Sequence, residues 1–311
     1  MQRFIVRRFF TSLLVLVGAT MIIFGLSRMV GDPRILMLPE AGYGMSQQAW
    51  EEAARRLHLD KPVPVQYGYW IWDLMRGDLG MDLADRTRIG PKLAQKLGPT
   101  LRLTLSAWAL AILIGVPLGV LSAVKRNGVW DYIGRTFAIL GQSLPAFWVA
   151  ILGVLVFAVW LGWLPTGTMG EGVSVRNYIM PTFILAWMPM AGYVRLTRSA
   201  MLEILDSEYI KMARAKGVNE FLVIWKHGFR NAILAPLTLA ALMLAGLISG
   251  SVAVETVFAW PGIARYSVEA VWNNNIPVLS VVVLIFTLAF VLANFLVDIL
   301  YAYVDPRIRL R

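Results

Sequence analysis

The sequence predicts an all-α polytopic membrane protein with six transmembrane helices. Of its 311 residues, 58% are hydrophobic and only 15% charged, against the roughly 25% charge of soluble globular chains. The apolar excess is gathered into six runs free of charged residues, each long enough to cross a hydrocarbon layer of about 30 Å as helix. Their aliphatic composition lacks strand-like alternation, which favours helices over a barrel. Most of the net charge of +10 falls on one side of the topology these runs define.

The first run, Phe9 to Ser27, follows Arg3, Arg7 and Arg8. A cleaved signal peptide is the competing reading, but the apolar stretch continues to Leu26 without a clean small-x-small cleavage site, which favours a retained span. Residues 28–102 then form the one large segment on the outer side. Within it Ser46 to Leu59 reads as a surface helix. Trp50, Ala53, Ala54 and Leu57 share one face, and Glu51/Arg55 and Glu52/Arg56 are i,i+4 pairs. Pro62 and Pro64 follow it. This helix is either a cap over the span ends or a docking surface for an external protein.

Residues 103–311 hold the other five helices, with spans at about 103–124, 136–162, 177–194, 231–254 and 277–303. The long run from Thr136 to Gly170 contains one helix ending near Gly162, because Leu164-Pro165-Thr166-Gly167 reads as a turn. Between 196 and 236 a polar helix around Glu208 to Lys216 is closed by Gly217, suited to a left-handed C-cap. Asn219 can cap a second helix, whose Phe221, Trp225 and Phe229 form a stripe. Such an element lies along a membrane surface, with or without a cytosolic partner on its free face.

With the N-terminus inside, the cytoplasmic segments carry sixteen basic against six acidic residues, and the outer segments thirteen against twelve. Both termini are then cytoplasmic. The basicity needs no nucleic-acid partner. Seven of the sixteen inner basic residues lie between Arg195 and Arg230, so that stretch is the most charged inner surface.

Candidate chemistry in the spans is sparse. The chain has no cysteine, and its two histidines, His58 and His227, give no metal-ligand spacing. No phosphate-binding loop, nucleophile elbow or zinc helix motif occurs. Asp298 alone interrupts a span; it is either paired with an arginine near the interface or a proton relay. Gly115/Gly119 and Gly246/Gly250 have the small-x-x-x-small spacing that lets helices approach closely. Pro117, Pro145 and Pro189 free backbone carbonyls. Gln142, Ser143 and Pro145 line a hydrated pathway or mark a buried kink.

Three stretches carry a resemblance to a known family: Arg195-Leu196-Thr197-Arg198-Ser199-Ala200-Met201-Leu202-Glu203, Glu208-Tyr209-Ile210-Lys211-Met212-Ala213-Arg214-Ala215-Lys216-Gly217 and Arg230-Asn231-Ala232. Together they resemble the ATP-binding-cassette (ABC) permeases for dipeptides, oligopeptides and nickel, and specifically the B-type subunit. Gly31-Asp32-Pro33, Gly77-Asp78-Leu79-Gly80, the stretch from Val254 to Gly262 and Asp305-Pro306-Arg307-Ile308 extend the likeness along the chain. The leading glutamate of the broader importer motif Glu-Ala-Ala-x-x-x-Gly is absent; Lys211-Met212-Ala213 stands there instead. Asn274-Asn275-Ile276-Pro277 replaces a more usual Arg-Asp-Tyr-Pro.

The resemblance implies a type I ABC importer permease (MetI-like) fold in a bacterial or archaeal cytoplasmic membrane. It implies a non-catalytic subunit with no cofactor or metal of its own, ATP and Mg being held by two partner ATPase subunits. A second related permease and an extracytoplasmic solute-binding protein complete the set. Glu208, Tyr209, Ala213, Arg214, Ala215, Lys216 and Gly217 would be the ATPase-coupling residues. The rival readings are a proton-coupled secondary transporter using Asp298 and an intramembrane enzyme. The first is disfavoured by the single buried acid and the second by the missing nucleophile.

Overall fold

The computed structural model describes residues 2–29, 51, 52, 54, 55, 58–167 and 174–304. Among these residues the regular structure is helical, apart from one isolated antiparallel bridge between Met81 and Arg88, with turns and irregular stretches between the helices. The surface helix expected over Ser46 to Leu59 lies mostly outside the described residues; Glu51, Glu52, Ala54 and Arg55 are helical. The helices are α1 (Gln2–Met29), α2 (Val63–Met75), α3 (Ile89–Val124), α4 (Val129–Ser143), α5 (Ala146–Gly153), α6 (Val175–Leu205), α7 (Glu208–Ala215), α8 (Glu220–Leu222), α9 (Arg230–Ala232), α10 (Leu234–Gly250), α11 (Val252–Val257), α12 (Ile263–Trp272) and α13 (Ile276–Val304). Two π-helical segments, Val154–Trp160 and Val223–Phe229, continue α5 and α8.

Four stretches are each long and apolar enough to span a bilayer, namely Ile5–Met29, Ile89–Val124, Val175–Leu205 and Ile276–Ile299. Two bent pairs raise the number to six if each is one span. In the first pair, Val129–Ser143 meets Ala146–Trp160 at 107°; in the second, Leu234–Leu244 meets Gly246–Val257 at 51°. Where the charge-free run suggests one helix over 136–162, the structure therefore has two. Pro145 explains the break. It disfavours the helical region for the preceding residue, and Leu144 is extended at φ −91°, ψ 126° while Pro145 caps the new helix.

Helix α3 starts at Ile89, well ahead of the charge-free run at Leu103. Its 36 residues make a rod of about 54 Å at 1.5 Å per residue, so its first turns extend beyond a hydrocarbon layer and tolerate Lys92, Lys96 and Arg102. Helices α2 and α12 are elements that the sequence reading did not place. Pro62 and Pro64 do not close a helix; they open one, since proline is well suited to a first turn.

The core is built on α3 packed along α6, with α10 and the α5 segment against them. Leu103, Ala107, Ala111, Ile184, Ala186, Met190 and Tyr193 are buried there. Two glycines let the backbones approach. A Cβ on Gly115 would lie 2.7 Å from the Met190 carbonyl oxygen, and one on Gly119 would lie 2.7 Å from Thr197 Cβ. The other small-residue pair differs, because nothing lies within 4 Å of a Cβ built on Gly246 or Gly250. Outside this core α1 packs along α13.

Candidate functional site

The candidate site is the exposed knob that follows α6. Its base is apolar: Ile210 is fully buried with Met201, Leu205, Val223 and Ala232, against Val120 and Ala123 at the end of α3. Ser207 precedes α7 with extended backbone, and Glu208 adds negative charge to its first turn. The helix ends in a Schellman motif, with Gly217 N–H donating to the Arg214 carbonyl at 2.9 Å and Val218 N–H to that of Ala213 at 3.2 Å. Gly217 sits at φ +74°, as a left-handed cap requires, with open space around it. Asn219 then caps α8 by accepting from Phe221 N–H at 2.8 Å.

An ion pair closes the bend. Arg214 Nη2 donates to Glu220 Oε1 at 2.7 Å, and this guanidinium holds the Glu220 carboxyl below the usual glutamate range. Linkage fixes its sign. A carboxyl with a depressed folded pKa contributes stability above its unfolded value and loses it as pH falls through the folded one. The carboxylate is therefore ionised at neutral pH, the form that pairs with Arg214.

Across the knob, Asn231 Nδ2 donates to the His227 carbonyl at 2.8 Å and to Tyr209 Oη at 3.2 Å, joining both halves. Glu208, Tyr209, Lys211, Met212, Arg214, Ala215, Lys216 and Gly217 remain exposed. Beside them Phe221, Leu222 and Trp225 are exposed too. Phe221, Trp225 and Phe229 form the expected stripe, with neighbouring ring centroids 6.3 and 5.3 Å apart. It rides on a π-helical turn that the sequence pattern does not announce. The result is a helical element on an apolar base, with exposed charges on α7 and exposed apolar side chains beside them.

Directly behind the knob lies a cluster that sequence reasoning missed. Asp131, fully buried in the first turn of α4, accepts from Arg198 Nε at 2.6 Å and Arg198 Nη2 at 3.1 Å. It also accepts from Arg135 Nη2 at 2.7 Å, Ser122 Oγ at 2.9 Å and the Asn127 N–H at 2.9 Å. One carboxylate thus ties α3, α4 and α6 together immediately before the chain enters the knob. Only the Asp131/Arg135 i,i+4 spacing could have hinted at it.

Two further clusters, also absent from the sequence reading, lie toward the opposite end of α3. Glu255 is fully buried. Its Oε1 accepts from Thr100 Oγ1 at 2.7 Å and Ser251 Oγ at 3.2 Å, and its Oε2 from the Arg265 N–H at 2.9 Å. Ile263 N–H donates to Thr100 Oγ1 at 2.8 Å. The N-terminus of α12 is therefore capped by side chains from α3 and α11. Asp82 accepts from Tyr266 Oη at 2.6 Å, Asn275 Nδ2 at 2.5 Å and Lys92 Nζ at 2.5 Å. Burial alone would raise its carboxyl pKa, but these donors hold it below the ordinary aspartate value. Asp85, more exposed, also pairs with Lys92, whose ammonium pushes its carboxyl down to about 2.

The remaining candidates are dispersed. Gln142, Ser143 and Pro145 are exposed at the 107° break between α4 and α5. Asp298 Oδ2 lies 3.0 Å from Arg8 Nη1, both partly exposed, so the acid bridges α13 to α1. Neither group lies in the knob or the Asp131 cluster.

The sequence matches the family described as binding-protein-dependent transport system inner membrane component over residues 115–310, and its N-terminal companion over residues 1–90. The dipeptide transport system permease protein DppB of Alkalihalophilus pseudofirmus is 37% identical, with 99% of this chain and 100% of that protein covered. The oligopeptide transport system permease protein AppB of Bacillus subtilis is 37% identical over 99% of each chain. The glutathione transport system permease protein GsiC of Pectobacterium atrosepticum is 40% identical over 90% of this chain and 89% of its own. In fold the chain is similar to a subunit in the structure described as inward facing conformations of the MetNI methionine ABC transporter. The TM-score is 0.57 at 20% identity, covering 68% of this chain and 96% of that one.

Proposed function

The chain belongs to the family of binding-protein-dependent transport system inner membrane components, and we propose that it forms half of a transmembrane pathway importing di- or oligopeptides or a related small solute. The observation that carries this reading is end-to-end similarity to permeases named for dipeptides, oligopeptides and glutathione. The partners are a second related permease, two ATP-binding subunits holding ATP and Mg, and an external solute-binding protein; this chain itself needs no cofactor. The positive-inside bias supports cytoplasmic termini, which puts the knob on the side where ATP is hydrolysed.

In this reading Glu208, Tyr209, Ala213, Arg214, Ala215, Lys216 and Gly217 seat in the ATPase subunit. Its closure on ATP moves the knob, and the helices rock between inward- and outward-facing states. Gln142, Ser143 and Pro145 line the pathway, where a break frees polar groups. The test is uptake of a labelled dipeptide by the reconstituted complex with its binding protein. ATP-dependent accumulation supports the proposal; ATP-independent exchange would refute it.

Two substitutions probe this assignment. Gly217→Val forces a β-branched residue into the left-handed region at roughly 1–2 kcal/mol, with no clash because the surroundings are open. Uptake should fall severalfold while the complex still assembles, and Gly217→Asn, which tolerates this region, should retain most activity. Equal activity in the valine variant would remove the bend from the coupling path. Asp298→Asn removes one partner of the pair with Arg8 that bridges α13 to α1, a tie between helices and not a carrier, so uptake should persist. Loss of uptake with ATP hydrolysis intact would favour the proton-coupled alternative.

A further inference from the structure

We propose that α2 is an interfacial helix lying in the lipid headgroup layer, with Val65, Tyr69 and Trp72 against the bilayer. These three residues are exposed on one face of α2, at the i, i+4, i+7 spacing of a helical stripe. The opposite face carries buried Gln66 and half-buried Tyr67, Trp70, Ile71 and Leu74. Asp73 is exposed beside the stripe and the His58 ring stacks on Tyr69 at 4.0 Å, but most of both faces is apolar or aromatic, which is unsuited to a helix in open water.

Contacts with α1 set the depth of α2. Tyr67 Oη is hydrogen-bonded to Thr20 Oγ1 at 2.8 Å, and the Phe24 ring lies 5.6 Å from both Tyr67 and Trp70. Arg8 and Arg28 bracket the uncharged part of α1 and are twenty residues apart, which at 1.5 Å per residue is about 30 Å, the thickness of the hydrocarbon layer. Thr20 then lies about 12 Å, and Phe24 about 6 Å, inside the plane of Arg28. A helix clasped at those two levels cannot stand clear of the membrane. Tyrosine and tryptophan are the residues enriched at this depth.

The bilayer is the occupant the contacts favour over an external protein, because α1 keeps Val17 and Met21 exposed on the face beside Thr20 and Phe24. The exposed apolar surface of a membrane span thus adjoins the place where α2 is clasped. Arg76 fits the same placement. Its Cζ lies 4.7 Å from the Trp72 ring centroid, so the ring covers the guanidinium stem while the charge can reach lipid phosphates.

The absence of cysteine makes the test direct. Single cysteines replacing Val65, Tyr69 or Trp72, in the full chain within its complex, carry a nitroxide in phosphatidylcholine and phosphatidylglycerol vesicles. Labels at Leu26 on α1 and Arg86 in the exposed loop give the lipid and water references. The expected result is collision with oxygen close to that at Leu26, and collision with a water-soluble nickel chelate well below that at Arg86. Retained uptake in each variant shows that the fold is intact. Nickel accessibility equal to that at Arg86 would overturn the proposal in favour of a water-facing helix. Protection from both reagents would overturn it in favour of a protein cover, whether residues 28–62 or an external partner.

Discussion

Replacing Asp131 with alanine is expected to abolish uptake and to lower stability by about 3 kcal/mol, the low end of the cost of stripping a partner from a buried ion pair. The figure stays low because Arg135 reaches solvent and Arg198 is partly exposed. What remains after the change is a guanidinium on α6 whose bidentate acceptor has gone, about two turns before that helix ends and the knob begins. Helices α3 and α4 lose their tie to it at the same moment. Thermal unfolding of the purified complex gives the stability change, and ATP hydrolysis in the presence of the binding protein gives the coupling. Hydrolysis should continue without transport. Arg198→Lys should rescue little, since lysine cannot supply the two-pronged contact. Wild-type uptake in the alanine variant would show that the cluster is scaffolding and does not pass on the motion of the knob.

Glu255→Ala is the second large effect. The change leaves the Arg265 N–H at the start of α12 and the Thr100 hydroxyl without their acceptor in a fully buried site, while Ser251 Oγ keeps the Ile248 carbonyl at 2.9 Å. Leaving buried donors unsatisfied costs about 1–3 kcal/mol each, so about 3 kcal/mol in total is expected, with loosening of α12. Gly262 makes an independent prediction. A Cβ there would lie 2.2 Å from Glu255 Oε2, so Gly262→Ala must displace the same carboxylate although its own backbone is extended. Both variants should speed hydrogen exchange in α12 and leave α7 unchanged. Unaltered exchange in α12 for either one would disprove the capping role.

The helices of this fold were largely legible because the bilayer imposes a local rule: about twenty residues without charge. The knob was legible for a similar reason. Gly217 and Asn219 are short-range signals, and the structure gives them the cap geometry their chemistry suits. The buried polar clusters were not legible. Asp131 meets Arg198 across 67 residues, Glu255 meets Thr100 across 155, and Asp82 meets Tyr266 and Asn275 across 184 and 193. No local pattern encodes such partners; only the packing of α3 on α6 and of α12 near the start of α3 brings them together. The 107° break was half visible: Pro145 marked the position, but the long apolar run around it concealed how sharply the helix turns. Helix α2 was hidden by its own prolines, which can open a helix as readily as they can end one.

The unbroken length of α3 has a mechanical consequence. Lys92 sits in the Asp82 cluster, Thr100 in the Glu255 cluster and Ser122 in the Asp131 cluster, so a single rod is bolted at three heights over about 45 Å. Pro99 and Pro117 lie inside it, yet the helix runs without interruption from Ile89 to Val124 and can turn as one body. A tilt of 10° would swing one end of that rod by on the order of 8 Å relative to the other, so a small push at the knob could open the far mouth with no helix melting. Distances measured between paired labels near its two ends, with and without ATP, should then stay constant while their distances to the partner permease change.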